Sequence, residues 1–185
     1  MTSAYIGKGG KQYTYHEDFN DETKGLVIIT SDCIAMRMDG KLLRFHSPVF
    51  EAMLSTCNSD DDSVHLEHPA SVFALYLRTL SGQPLKLEEK DWDDFKQAVD
   101  LCLRYDTPSF GPHMLANVRP MFLFGHDKAY KLFMLASRFD DILTACRVIS
   151  SLASFRQDRV NGEDLFWRRQ DWPLNVIEPL PTAWI

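Results

Sequence analysis

Two runs dominated by apolar residues, LVIIT at 26–30 and CIAMRM at 33–38, follow a polar opening stretch and read as β-strands. Asp39 and Gly40 come next, a pair that supplies the left-handed conformations of a two-residue hairpin turn, and KLLRF at 41–45 reads as the returning strand. Pro48 suits the first turn of a short helix, where its missing N–H would have no partner in any case, with Val49, Met53 and Leu54 on one side. The polar loop STCNSDDDS ends that helix, and VHL at 64–66 reads as one more short strand.

Beyond Pro69 the period lengthens to that of helices. Phe73, Tyr76, Leu77 and Leu80 fall at i, i+3, i+4 and i+7 before Gly82 stops the pattern. A longer helix is expected from about Glu88 to Tyr105. Glu88, Glu89, Asp91, Asp93 and Asp94 crowd its first turns, where the macrodipole favours anions, and Trp92, Phe95, Val99 and Cys102 form its stripe. TPSFGPHML reads as a turn into a short helix, and RPMFLFG as a break. Two further helices follow, one with Ala129, Leu132, Phe133 and Ala136 on its apolar side, the other with Ile142, Ala145, Cys146, Ile149 and Leu152. The final DLFWRRQDWPLNVIEPLPTAWI, with three prolines and three tryptophans, reads as an extended segment lying on the domain. Residues 1–24, polar with scattered Tyr5, Tyr13, Tyr15 and Phe19, read as an N-terminal tail or arm. No internal repeat is visible.

Composition narrows the class. A chain of 185 residues with 45% hydrophobic and 25% charged content is a globular protein of one domain, or one domain with an appendage. Its net charge of −6 offers no field for phosphate backbones, and Arg156, Arg159, Arg168 and Arg169 make only a local cluster, so nucleic acid is not an expected partner. Cys33, Cys57, Cys102 and Cys146 form no C-x-x-C pair, which fits reduced thiols. No apolar stretch has signal-peptide or membrane-spanning length; the expected location is cytoplasmic or nuclear, with no membrane partner.

Candidate chemistry is sparse. The Gly-Lys-Gly-Gly-Lys run at 7–11 lacks the spacing of a phosphate loop and the strand that would precede it. His65, His68 and Cys57 offer zinc ligands without a fourth at compatible spacing. Asp60, Asp61 and Asp62 lack the alternation and glycine of a calcium loop. No serine lies in a G-x-S-x-G elbow, and no base can be assigned to a cysteine nucleophile. No catalytic residue, cofactor or metal site is therefore assigned. An enzyme or metal protein of unrecognised type stands as the alternative from another class.

The stretch SDCIAMRMDGKLLRFH, then VHLEHPASVFALYLRTLSG, then DWDDFKQAVDLCLRYDTPSF, in this order, resembles a BTB/POZ domain over about Ile29 to Leu115. DKAYKLFMLASRFDDILTACRVISSL is similar to the helix pair that follows the domain in many fungal members. The resemblance implies an α+β fold, BTB/POZ-like, with helices clustered on a small sheet around an Ile34–Phe45 hairpin. A tail at 1–24, the domain at 25–118 and a C-terminal helical extension at 119–185 complete the expected organisation.

Asp32, Gly40, His46, Gly82 and Tyr105 are the structural motif positions that this resemblance marks. It makes His46 a packed, hydrogen-bonded residue where strand turns into helix. The chain departs from the family pattern in four places, one being Leu80 where the family usually has Tyr. Only one helix fits between His46 and Val64 where the family has two. Ser47 replaces the family's basic residue, so Asp32, whose burial without a partner would cost about 3–5 kcal/mol, should be exposed, cap a backbone N–H or pair with Arg37 or Arg44. STCNSDDDS lacks the apolar-x-acidic motif of cullin-recruiting members.

The function implied is a non-enzymatic protein–protein interaction module acting by self-association as a homodimer, by binding a partner protein, or both, with a cullin-based ubiquitin-ligase adaptor as the alternative. Aromatic anchors would supply the binding energy. Phe122, Phe124 and Trp167 are the candidate interface residues, whereas Trp92 and Phe110 are assigned to the core.

Overall fold

Every residue of strand β3 (Leu26–Ile29) is apolar and three of the four are buried, because the strand lies inside a sheet covered on both faces. It pairs antiparallel with β4 (Ile34–Met38), setting Val27 opposite Arg37 and Ile28 opposite Met36. On its other side it pairs parallel with β5 (Ser63–His65). Strand β2 (Gln12–Tyr15) runs parallel to β4 and antiparallel to β1 (Ala4–Ile6), completing the order β1-β2-β4-β3-β5. Alternation sends Ile28 and Met36, both fully buried, to one face. On the other, Val27, Ile29 and Ala35 pack with Tyr13 and Tyr15, and Tyr5 lies against them.

The stretch read as a tail or arm thus contributes two strands and the aromatic cover of one sheet face. Two tyrosines two residues apart were too short a pattern to betray it. Between these strands the Gly7 N–H donates to the Lys11 carbonyl at 2.9 Å, and Gly10 adopts φ 79°, a conformation that favours glycine.

These features come from a computed structural model describing residues 4–7, 10–56, 63–85, 87–118 and 126–154. The chain divides into two compact units, residues 1–86 with 90–107, and residues 87–89 with 108–185. The boundary falls after Thr107, so the helix following TPS belongs to the second unit. Among the described residues the fold is α+β: one mixed five-stranded sheet and seven α-helices. No helix among them is long and apolar enough to cross a membrane.

The hairpin is displaced from its expected place. It joins β3 to β4 through Thr30-Ser31-Asp32-Cys33, with Cys33 at φ 63° and its N–H on the Thr30 carbonyl. Asp39 and Gly40 make no turn between strands, and KLLRF is not a strand. Helix α1 (Gly40–His46) occupies this stretch, with the Asp39 carboxylate accepting from the Lys41 N–H at 2.9 Å as its N-cap. Lys, Leu and Arg favour helix, none of the five residues is β-branched, and adjacent Leu42 and Leu43 share one side of a helix but not of a strand. Helix α2 (Pro48–Thr56) follows directly. Two helices therefore precede β5, the first of them upstream of the point where the sequence seemed to lack one.

Helix α3 (Ala70–Leu80) is buried nearly all round and packs against α4 (Trp92–Arg104), which starts after a 3₁₀ turn over Glu89–Asp91. Its end at Gly82 is a Schellman turn: the Gly82 N–H reaches the Thr79 carbonyl, the Gln83 N–H that of Arg78, and Gly82 sits at φ 66°. Helix α4 ends the same way with Asp106, at φ 53°, in the glycine position.

The second unit holds α5 (Phe110–Ala116), α6 (His126–Arg138) and α7 (Ile142–Ser154), each in contact with the other two. Ala129, Leu132, Phe133 and Ala136 of α6 are buried. Gly111 is required in α5, where a Cβ would run into the Phe139 ring. The stripe expected on α7 is rotated. Thr144, Ala145 and Val148 are buried, whereas Ile142, Cys146 and Ile149 face outward, because Asp141 caps the helix at Thr144 and Arg147 is drawn in to the end of α5.

Candidate interaction surface

Ser47, the one residue between α1 and α2, is fully buried. Its Oγ donates to the Tyr105 carbonyl at 2.6 Å and accepts from the Phe50 N–H at 3.1 Å, so one hydroxyl caps α2 and ties it to the end of α4. The Phe50 ring stacks on Tyr105 with centroids 4.4 Å apart. Tyr105 in turn lies 5.6 Å from Tyr76 and edge-on to Phe73 and His68 at 6.3 and 5.9 Å. Arg44 donates to the Leu54 carbonyl at 3.0 Å, which ties α1 to α2. The inner side of this corner is thereby fixed by hydrogen bonds and ring packing.

Its outer side exposes Lys41, Arg44 and one aromatic ring. Phe45 is 83% exposed, its ring edge-on to His46 at 5.0 Å. Gly25, Leu26, Asp39, Gly40, Lys41, Arg44 and Leu54 line a groove of about 390 Å³, its charged residues being Asp39, Lys41 and Arg44. At the sheet edge Ile6 of β1 is 70% exposed.

The motif positions fall into distinct roles. Asp32 is exposed, and its carboxylate accepts from the Ala70 N–H at 3.1 and 3.2 Å and from the Thr30 hydroxyl at 2.6 Å. It caps α3 from the β3–β4 turn, a service Pro69 cannot provide. Gly40 is the first residue of α1, not a turn residue, and Gly82 and Tyr105 close α3 and α4. His46 is half-buried at the last position of α1, not at a passage from strand to helix. The junction role expected of it belongs to Ser47. The Ser-Pro pair, cap plus first helical residue, was the signal for this.

Phe122, Phe124 and Trp167 lie outside the described residues, as does Cys57. Trp92 is half-buried with its ring 5.9 Å from Phe95, and Phe110 is half-buried near His113. The surface aromatic that sequence reasoning missed is Phe45, hidden by its assignment to a strand.

His65 and His68 turn to different neighbours, Tyr13 at 6.2 Å and Tyr105 at 5.9 Å. Burial, reinforced by Arg104, holds His68 below the ordinary histidine range against the pull of Glu67. Among the described residues no three His, Cys, Asp or Glu side chains are grouped to hold a metal ion. Cys102 is buried, and burial pushes its thiol up to about 12, leaving it unionised at neutral pH; Cys33 and Cys146 are exposed. The geometry thus offers a braced corner carrying an exposed ring, a shallow groove and a sheet edge. No protein-family model matches the chain, and no curated protein sequence matches it.

Proposed function

We propose that the chain is a BTB/POZ-like protein-interaction module that works without chemistry, by self-association, by binding a partner protein, or both. One observation carries this reading: a phenylalanine 83% exposed on α1, a helix held by the fully buried Leu43, by the Ser47 N–H on the Leu43 carbonyl and by the Arg44 hydrogen bond to the Leu54 carbonyl of α2. Burying such a ring contributes about 1.5–3 kcal/mol, and a rigid support leaves little ordering cost for a partner to offset. The element order supports it too. An antiparallel hairpin, two short helices, a strand, a buried amphipathic helix and an acidic helix follow one another as in the family that the sequence resembles. A cullin scaffold is a narrower proposal for the partner, tested by pull-down with a cullin N-terminal region.

Light scattering across protein concentrations tests self-association. A molar mass that climbs from one chain towards two supports it. A constant single-chain mass removes self-association and leaves binding of another protein as the sole mode.

A further inference from the structure

Between Ile142 and Ser151, helix α7 carries one charged side chain, Arg147, and its guanidinium is turned to the carbonyls of Leu115 and Ala116 at 2.6 and 2.9 Å. Its outward side is without charge. Ile142 (62% exposed), Leu143 (84% exposed), Cys146 and Ile149 follow at i, i+1, i+4 and i+7. A solvated helix face carries charged or polar residues opposite its buried stripe; a continuous apolar one marks a binding surface.

The chain itself holds a fitting occupant. Residues 155–185 start where α7 ends. The helix has 13 residues, about 20 Å of length, which an extended chain retraces in about six residues. The stretch DWPLNVIEPLPTAWI at 171–185 has only Asp171 and Glu178 as charged residues, among Trp172, Leu174, Ile177, Leu180 and Trp184. Pro173, Pro179 and Pro181 oppose a helix and remove donors that a strand would need, so this stretch suits a surface offering apolar contact without backbone pairing. Tethering next to α7 gives it an effective concentration of order mM, so a second copy or another protein at µM levels would need roughly thousandfold tighter intrinsic binding to displace it.

We propose that the apolar face of α7 formed by Ile142, Leu143, Cys146 and Ile149 is the docking site for the chain's own C-terminal segment, residues 155–185. Cys146 lies within this face and reports on its cover. Alkylation of the full-length native chain, read at each cysteine by mass spectrometry against the urea-unfolded chain, gives a protection factor for each thiol. Cys146 is expected to be protected more than about tenfold, and exposed Cys33 hardly at all. The full-length variant carrying Trp172→Ser, Leu174→Ser, Ile177→Ser and Trp184→Ser should lose the Cys146 protection while keeping that of buried Cys102, which shows the first unit intact, and the wild-type hydrogen-exchange protection of the α6 amides, which shows the second intact. Absence of Cys146 protection in the native chain overturns the proposal. Protection that survives the four substitutions overturns it as well, and protection that vanishes on dilution assigns the face to a second copy instead.

Discussion

Replacing Ser47 by Ala tests the corner that supports the exposed ring. The hydroxyl is fully buried and serves two groups, the Phe50 N–H at 3.1 Å and the Tyr105 carbonyl at 2.6 Å. Loss of a serine N-cap costs about 1 kcal/mol, and a buried carbonyl left without its donor adds about 1–2 kcal/mol, so Ser47→Ala should destabilise the first unit by about 2–3 kcal/mol. With a urea dependence of about 1–3 kcal/mol per M, the transition followed by circular dichroism moves down by about 0.7–3 M. Ser55→Ala, at an exposed position of the same helix, is the control and should change stability by less than about 0.5 kcal/mol. A Ser47→Ala protein as stable as that control would refute the claim that one hydroxyl joins α2 to α4.

Other consequences are equally direct. Gly111→Ala places a Cβ against the Phe139 ring and should destabilise the second unit by about 1–3 kcal/mol, although helix propensity alone would favour Ala by about 1 kcal/mol; hydrogen exchange of the α5 and α6 amides reads the sign, and a gain in protection would contradict the close approach. Asp106→Gly puts glycine into the left-handed position ending α4 and should raise thermal stability by about 0.5–1 kcal/mol; a loss would mean that the carboxylate itself matters there.

His16 and His68 are both held below the ordinary histidine range, first by burial, with Arg78 adding for His16 and Arg104 for His68. Asp18, Glu17 and Asp32 oppose the shift at His16, and Glu67 opposes it at His68. The unfolded chain therefore binds these protons more tightly, so their contribution is complete above the unfolded value of about 6.5 and is lost as pH falls from there towards the depressed folded values. Urea midpoints of the wild type should fall more steeply over that window than those of a His16→Gln/His68→Gln variant, and parallel curves would contradict the assignment.

What the sequence made legible follows from how strongly each residue pattern discriminates. Phe73, Tyr76, Leu77 and Leu80 keep a helical period for a full two turns and end at a glycine, so α3 was readable to within a residue. Asp39-Gly40 was not decisive, because the same pair serves as a hairpin turn and as a helix cap with its first residue; Leu42 beside Leu43 settles the matter only once the neighbouring helices are in place. The hairpin itself turns at Thr30–Cys33, where a cysteine holds the left-handed conformation that glycine would have advertised. On α7 the misreading came from counting apolar residues, whereas Arg147 and Asp141 set the rotation through hydrogen bonds that periodicity does not register. Phe45 passed unnoticed for a related reason: it reads as the end of a returning strand, whereas α1 leaves it 83% exposed.

The interaction reading rests on that exposed ring, and Phe45→Ser is its most direct test. Sedimentation equilibrium of the wild type and the variant over the same concentration range compares their self-association. Burial of the ring at about 1.5–3 kcal/mol predicts a dissociation constant raised by at least about tenfold in the variant, with unchanged urea stability because the ring is 83% exposed. Identical association of the two proteins, or a variant that fails to fold, would contradict the assignment of Phe45 to a docking surface.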